Sequence, residues 1–570
     1  MIRRLRWCCA VLLGVTALPV AAHAEHPAAR TETVIATDGD IVVSRVRLAD
    51  QLPPGSPPHP PACDEIEYLR YRSAGGADDP QSADGVLLAQ TAAFFGATSM
   101  EPLARNTIHQ LAARGTHVEW WTQPRRSTCA FDYSGIAAAD RARDGRVAFD
   151  YYFGDKEIEG RRFGGFRPNS ELRYLAEIGL ARNVADIHTV LLRELPDPEF
   201  RARKTFCGGP SDGGLIVGAF AAWDFGGGPQ RAGYRQCAGF FALESLINAD
   251  VLGLQSVPAL AATAPILGGL PYELAVAGLR SGGVPVSFSG IPFVEPQFMA
   301  LLAVLGSAAW HRPDEESGLA ARIVATWQNE IATRGAFAAT YDEFLTGADA
   351  LREYRFTDEG LLGMLTSEHT FSFSPLQFSI GAPAGGPVAE KEFPWRDSAV
   401  ANTPLGPLAR IVTGPGPRVA PTDKHAVYGW HDYDDLADVP YAPADSAVVS
   451  IRDLARAMAA APGDGMGFVD PYFTARLSID LQAAHTGVRT GDLAPLRYDA
   501  EARNRPILTV FGTESWPLLP AGAVGALPAD TVYIHGYTHA DSTLGAERQN
   551  NGKPEPMAAA LTEFVTRHLS

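Results

Sequence analysis

Between Glu65 and Leu243 the chain alternates short apolar runs with stretches of helical period. IEYLRYR, GVLLAQT and THVEWW are strand-length blocks rich in β-branched and aromatic residues, and EPLARNTIHQLAARG, between the last two, spaces its apolar residues three and four apart. Glu171 to Leu195 reads as mostly helical, and Lys204 to Cys207 as the tail of a short strand. A glycine turn, the helix-like LIVGAFAAW and the buried strand GFFALE follow. Near the C-terminus PILTVFG, TVYIHG and the helix PMAAALTEFVTRHL restore the same rhythm. Strands that alternate with helices predict a mostly parallel central sheet with helices on both faces.

Two regions break the pattern. Residues 25–62 are polar and then Pro-rich (LPPGSPPHPP), a composition that predicts extended, weakly packed backbone. Residues 251–504 mix helical stretches with Gly/Pro loops and read as a large inserted cap between two parts of one core, 63–250 and 505–570. Val251 to Tyr272 carries no charge, but Pro258, Pro265 and Pro271 would break a spanning helix, so buried cap or core is the expectation.

Composition narrows the class. With 570 residues, 46% of them hydrophobic and 20% charged, the chain can bury a large core. Its net charge of −17, without basic clusters, argues against nucleic acid as a partner. Residues 1–24 show Arg3, Arg4 and Arg6, an apolar stretch from Cys8 to Val20 and an Ala22-His23-Ala24 end, the pattern of a signal peptide cleaved after Ala24. The expected location is therefore secreted or periplasmic, with no integral membrane segment after cleavage. Cys63, Cys129, Cys207 and Cys237 then remain, an even number that predicts two disulfides with three possible pairings. No CxxC pair or His cluster accompanies them, so neither a metal nor a cofactor is expected.

The chemistry centres on Gly209-Pro210-Ser211-Asp212-Gly213 followed by Gly214, a GxSxG match. Composition alone supplies about 0.3 such matches in a chain of this length, so context decides. Here the motif lies between a strand and a helix, where a sharp turn lifts the serine above the sheet and small neighbours let backbone approach. His539, in Gly536-Tyr537-Thr538-His539-Ala540-Asp541, follows the strand TVYIHG and precedes the last helix. His535 reads as a packed or hydrogen-bonded strand residue and His568 as a surface one.

These features, with CDEIEYLRYR, RRSTCAFDYSG and GPSDGG, resemble the α/β-hydrolase superfamily, in particular a subgroup of large exported bacterial members, over residues 63–250 and 505–570. The resemblance implies an α/β-hydrolase fold in which Ser211 is the nucleophile and His539 the general base. It leaves two candidates for the acid: Glu514 after PILTVFG, the favoured one, and Glu244 after GFFAL. The oxyanion hole would use the backbone N–H of Asp212 and of Ala92 or Thr91, although the His-Gly pair common in relatives is replaced by Gln90-Thr91-Ala92. Within this frame Cys207 pairs with Cys237 and Cys63 with Cys129. The implied activity is cleavage of a small-molecule carboxylic ester through an acyl-enzyme. Acyl transfer on the same fold and an inactive hydrolase-fold binding protein are the rivals, and the oligomeric state is left open.

Other signals have plainer readings. His431-Asp432-Tyr433-Asp434-Asp435 lacks the glycine and glutamate of a calcium loop and reads as a solvated acidic loop. Trp120-Trp121 and Phe94-Phe95 read as core, and Gly226 to Gly228 as a flexible turn.

Overall fold

A computed structural model describes residues 29–248, 271–288, 291–324, 326–347, 352–371, 373–392, 418–460, 466–515 and 527–570. The leader expected at 1–24 and the uncharged stretch 251–270 lie outside them. The centre is a nine-stranded sheet: β1 (Arg30–Asp38), β2 (Ile41–Ala49), β3 (Glu65–Ser73), β4 (Gly85–Gln90), β5 (Val118–Gln123), β6 (Thr205–Pro210), β7 (Gly239–Leu243), β8 (Ile507–Gly512) and β9 (Asp530–Ile534), in the order β1-β2-β3-β5-β4-β6-β7-β8-β9. The pairs β1/β2, β2/β3 and β3/β5 are antiparallel, and every later pair is parallel.

Every residue of β4, β5 and β6 is buried, as parallel strands covered on both faces require. Alternate side chains enter opposite cores. On one face Leu87, Trp120, Phe206 and Phe241 meet helices α1 (Glu101–Ala112), α4 (Pro296–His311), α5 (Ile451–Ala459) and α7 (Pro556–His568). On the other, Leu88, Trp121, Cys207 and Phe240 meet α2 (Leu180–Glu194), α3 (Asp212–Ala222) and α6 (Ala475–His485). The tryptophan pair is thus core, one indole on each side of β5, as a period of two dictates.

The N-terminal expectation needs correction. Residues 30–49 form a hairpin, not weakly packed chain, joined through Gly39 in a left-handed conformation. Asp38-Gly39-Asp40 between β-branched runs is a hairpin signal, and the proline tract that follows dominates the composition of the segment as a whole. A buried ionic ladder secures it: Arg70 of β3 pairs with Glu119 of β5 at 2.5 Å and with Glu32 of β1 at 3.1 Å.

The 251–504 region does enter between β7 and β8, but its described helices do not stand apart as a cap. Helices α4 and α5 join the core of one sheet face, and α6 joins that of the other.

Both disulfides have the expected partners, Cys63–Cys129 and Cys207–Cys237, closing loops of 66 and 30 residues. Loop-closure entropy assigns about 4 kcal/mol to the first and roughly 3.5 kcal/mol to the second. Replacing both cysteines of a pair by alanine is expected to lower the unfolding midpoint in each case, and more for 63/129. Thermal unfolding of the two double variants measures that order.

Candidate active site

The parallel strands end along one edge, and the candidate residues leave it side by side. Ser211 directly follows β6, Glu244 directly follows β7, Glu514 lies two residues beyond β8 and His539 five beyond β9. Open α/β sheets place their sites at this carboxyl edge. The β6–β7 register pairs Pro210 with Leu243, so Ser211 and Glu244 begin at the same level.

The turn at Ser211 is strained. Its φ of 49° and ψ of −126° lie where a residue with a Cβ rarely sits, and its N–H is held by Leu243 O at 2.9 Å. Small neighbours are obligatory: a Cβ on Gly209 would stand 2.4 Å from Gln90 O, and one on Gly213 2.3 Å from the same oxygen. Glu244 is also left-handed, with φ 53°, and so is Phe94, with φ 64°, in the segment after β4. Three of the six such non-glycine residues among those described therefore lie just beyond the ends of β4, β6 and β7, the kind of place where strain accompanies function.

The carboxylate that meets the histidine belongs to Glu244. Its Oε2 lies 3.4 Å from His539 Nδ1, with the two side chains only 2% and 8% exposed. Gly512 N–H donates to Glu244 Oε1, and Ser515 Oγ donates to Oε2. Of the two candidate glutamates, Glu244 is the one the structure places beside His539. Glu514 is anchored by its N–H to Tyr537 O at 3.2 Å, and its carboxylate accepts from Thr513 Oγ1 at 3.4 Å. His535 lies just past β9, exposed rather than packed, with Nδ1 3.3 Å from Thr513 Oγ1. His568 is half-buried, its ring 4.9 Å from that of Phe564. The loop bearing His539 is braced by the buried Asp541, which accepts from Thr538 N–H at 2.7 Å and from Ser379 N–H at 2.9 Å. Burial pushes the Asp541 carboxyl up, against those hydrogen bonds.

On the opposite side, Thr91 and Ala92 follow β4, and a Cβ on Gly213 would stand 3.1 Å from Thr91 O. The Asp212 N–H, first of α3, has no acceptor within the helix and can serve an oxyanion. A residue that sequence reading gave no role holds the Thr91 to Phe95 segment. Arg125 donates from Nη1 to Thr91 O at 2.8 Å, from Nη2 to Phe95 O at 3.1 Å, and from Nε and Nη2 to Asp470 Oδ2 at 3.2 and 3.0 Å. Ser127 Oγ donates to the same oxygen at 2.7 Å, and Asp470 N–H returns to Phe94 O at 2.7 Å. Arg125 and Asp470 are 345 positions apart, so no local pattern announces their pairing. Asp212 and Asp470 are both pushed up by burial, with Arg125 opposing the shift in each case and His539 also opposing it at Asp212. His539 is therefore within electrostatic reach of the residue that follows Ser211.

Phe94 and Phe95 prove half-buried rather than core, and Phe94 packs against Phe473 and Phe288 with ring centroids 4.9 and 5.5 Å away. Asp432, read as part of a solvated loop, instead helps cap α5: it accepts from Ile451 N–H at 2.9 Å and from Ser450 Oγ at 3.1 Å. Gly226, Gly227 and Gly228 all have positive φ, as a glycine turn requires. Among the described residues no group of three or more His, Cys, Asp or Glu is arranged to hold a metal, and no helix is long and apolar enough to cross a membrane. Compared with known proteins, the chain matches no family model and no curated protein.

Both members of the Arg125–Asp470 pair have 0% exposed side chains. Asp470→Asn should therefore cost about 3–5 kcal/mol by leaving a buried guanidinium without its counter-charge. Combining Arg125→Met with Asp470→Leu should recover part of that loss. Chemical denaturation of the single and double variants measures the coupling.

Proposed function

We propose that this chain is an exported serine hydrolase of the α/β-hydrolase type that cleaves a carboxylic ester through an acyl-enzyme on Ser211. The observation that carries the reading is the convergence, on one sheet edge, of a serine in a strained strand-to-helix turn with a buried histidine–glutamate pair. A serine hydroxyl attacks a carbonyl only when a base takes its proton. With Nδ1 turned to Glu244, His539 has Nε2 for that proton, and the Glu244 carboxylate stabilises the imidazolium that forms.

The reaction then runs in two balanced halves. Ser211 Oγ bonds to the acyl carbon while its proton passes to His539, and the carbonyl oxygen becomes an oxyanion facing the N–H of Asp212 and of Ala92 or Thr91. Collapse breaks the bond to the leaving oxygen, which takes the proton from His539 and departs as the alcohol. Water repeats the sequence on the acyl-enzyme and releases the acid. The order nucleophile, acid, histidine along the chain is that of the α/β-hydrolases, with Glu244 in the acid's place. Two disulfides and the apolar leader sequence support export.

Ser211→Ala and His539→Ala are each expected to lower kcat by roughly 10⁴- to 10⁶-fold, because triad members act as a unit. Glu244→Gln, which keeps shape and removes charge, should lose up to about 10⁴-fold, while Glu514→Gln stays within a few-fold of the parent. Steady-state kinetics on p-nitrophenyl esters of rising chain length, with fluorophosphonate labelling of Ser211, measure this. A larger loss at 514 than at 244 would reassign the acid, and an unlabelled Ser211 in the folded protein would leave a binding protein as the better reading.

A further inference from the structure

The Thr91 to Phe95 segment is bent in a way that its own sequence does not favour. Phe95 N–H donates to Ala92 O at 3.2 Å, which closes a tight turn, and the third position of that turn is Phe94 with φ 64°, a place where glycine is the usual residue. Arg125 spans the turn, donating to the carbonyl that precedes it, Thr91 O, at 2.8 Å and to the carbonyl that ends it, Phe95 O, at 3.1 Å. The arginine side chain is 0% exposed, with Asp470 at 3.0 Å and the Phe473 ring centroid 5.0 Å from its guanidinium carbon.

A peptide unit is planar and almost always trans, so its C=O and N–H point in opposite directions. Thr91 O and the Ala92 N–H belong to one such unit. By fixing the oxygen, Arg125 turns the Ala92 N–H away from the buried guanidinium and toward the open side of the site, where Ala92 and Ser211 are both half-buried. The unit before it is oriented differently. Gln90 O is turned to the elbow, 2.3 Å from the place of a Gly213 Cβ while its own carbon is 2.9 Å away, so the Thr91 N–H points away from the elbow. Neither N–H has an acceptor among the described residues.

We infer that Arg125 is a positioning residue for catalysis: through the Thr91–Ala92 peptide unit it aims the Ala92 N–H at the oxyanion, which makes Ala92, and not Thr91, the second donor beside Asp212. The inference rests on Ser211 being the acyl acceptor. A charged donor on Thr91 O also polarises the unit and strengthens its N–H as a donor, and no proton passes between Arg125 and the peptide. The effect falls on the transition state, where the substrate oxygen is charged, and leaves ground-state binding nearly unchanged.

The test separates positioning from bracing of the fold. Its substrate is the p-nitrophenyl ester that the parent hydrolyses fastest, and its variants are Asp470→Asn, Arg125→Lys and the double variant Arg125→Met/Asp470→Leu. Asp470→Asn keeps an oxygen for Arg125 and should be the least stable to denaturant, yet stay within a few-fold of the parent in kcat. The double variant removes both buried charges and should be more stable than Asp470→Asn, yet lose roughly 10- to 100-fold in kcat at nearly constant KM, less than outright deletion of an oxyanion donor costs. Arg125→Lys gives Thr91 O a charged donor without the fork that also reaches Phe95 O, and should fall between the parent and the double variant. An inhibitor reads the oxyanion directly. In the trifluoromethyl ketone with the same acyl chain, Ser211 Oγ bonds to the carbonyl carbon, its proton passes to His539 and the carbonyl oxygen becomes an oxyanion, so affinity should weaken in each variant by the factor lost in kcat/KM.

Activity losses that follow the order of stability, a kcat of the folded double variant within a few-fold of the parent, or an unchanged ketone affinity where kcat falls would each overturn the inference and leave the acyl-enzyme reading intact. Circular dichroism checks folding. Should the double variant not fold, Arg125→Lys decides alone: a lower kcat at constant KM supports the inference, and a parent-like kcat overturns it. If the parent turns over no ester and Ser211 does not react with a fluorophosphonate, the acyl-enzyme reading fails and this inference falls with it.

Discussion

The carbonyl oxygen of Gln90 fixes much of what surrounds it. It lies at the end of β4, so close to the β6–α3 turn that neither Gly209 nor Gly213 has room for a Cβ, which would come within 2.4 and 2.3 Å of it. Backbone-to-backbone packing of this kind leaves the turn no slack, and Ser211 is held at φ 49° by the strand ends on both sides of it. A conformation of that type costs about 1–3 kcal/mol and persists only where its surroundings over-determine it. The surroundings here are β4 on one side and Leu243 O, 2.9 Å from Ser211 N–H, on the other. The same contact brings the Thr91–Ala92 segment beside the start of α3, so one constraint sets both the posture of Ser211 and the position of the proposed oxyanion donors.

The second half of the site is assembled one strand further along. Glu244 takes a left-handed conformation directly after β7, and its carboxylate accepts from Gly512 N–H at the end of β8 while facing His539 beyond β9. One buried side chain thereby ties three successive strand ends together. Gly512 shows how tight the junction is, since a Cβ there would come within 2.1 Å of Tyr537 O in the histidine loop. Glu514 lies beyond this junction and spends its carboxylate on Thr513.

These details explain which parts were legible in the sequence. The strands of the sheet from β3 onward, the turn at Ser211, the place of His539 and both disulfide pairings depend on local pattern or on neighbouring strands, and local pattern is what a sequence displays. The β1–β2 hairpin was equally local, but the proline tract after it dominated the composition of its segment. The choice between Glu244 and Glu514 was not local. Each follows an apolar strand, and what separates them is a left-handed backbone and a hydrogen bond from Gly512, neither of which leaves a mark in residue identity. Arg125 and Asp470 were further still from view, since a buried ion pair between distant segments has no period and no motif.

That ion pair also changes what the 251–504 region is. Read as a cap, it would be an accessory over a site complete without it. Yet Asp470 supplies the counter-charge for the arginine that holds the Thr91–Phe95 segment, and Phe473 packs on both Phe94 and Arg125, the latter with its guanidinium carbon 5.0 Å from the ring centroid. From the same region Ser379 N–H is held by Asp541, and Gln377 O accepts from Thr538 Oγ1 at 2.9 Å, so the histidine loop leans on it too. The boundary near residue 504 is therefore one of chain order and not of mechanical dependence. Removing the insertion would take away the supports of both the Thr91–Phe95 segment and the histidine loop, so the arrangement around Ser211 depends on residues 251–504 and not on the sheet alone.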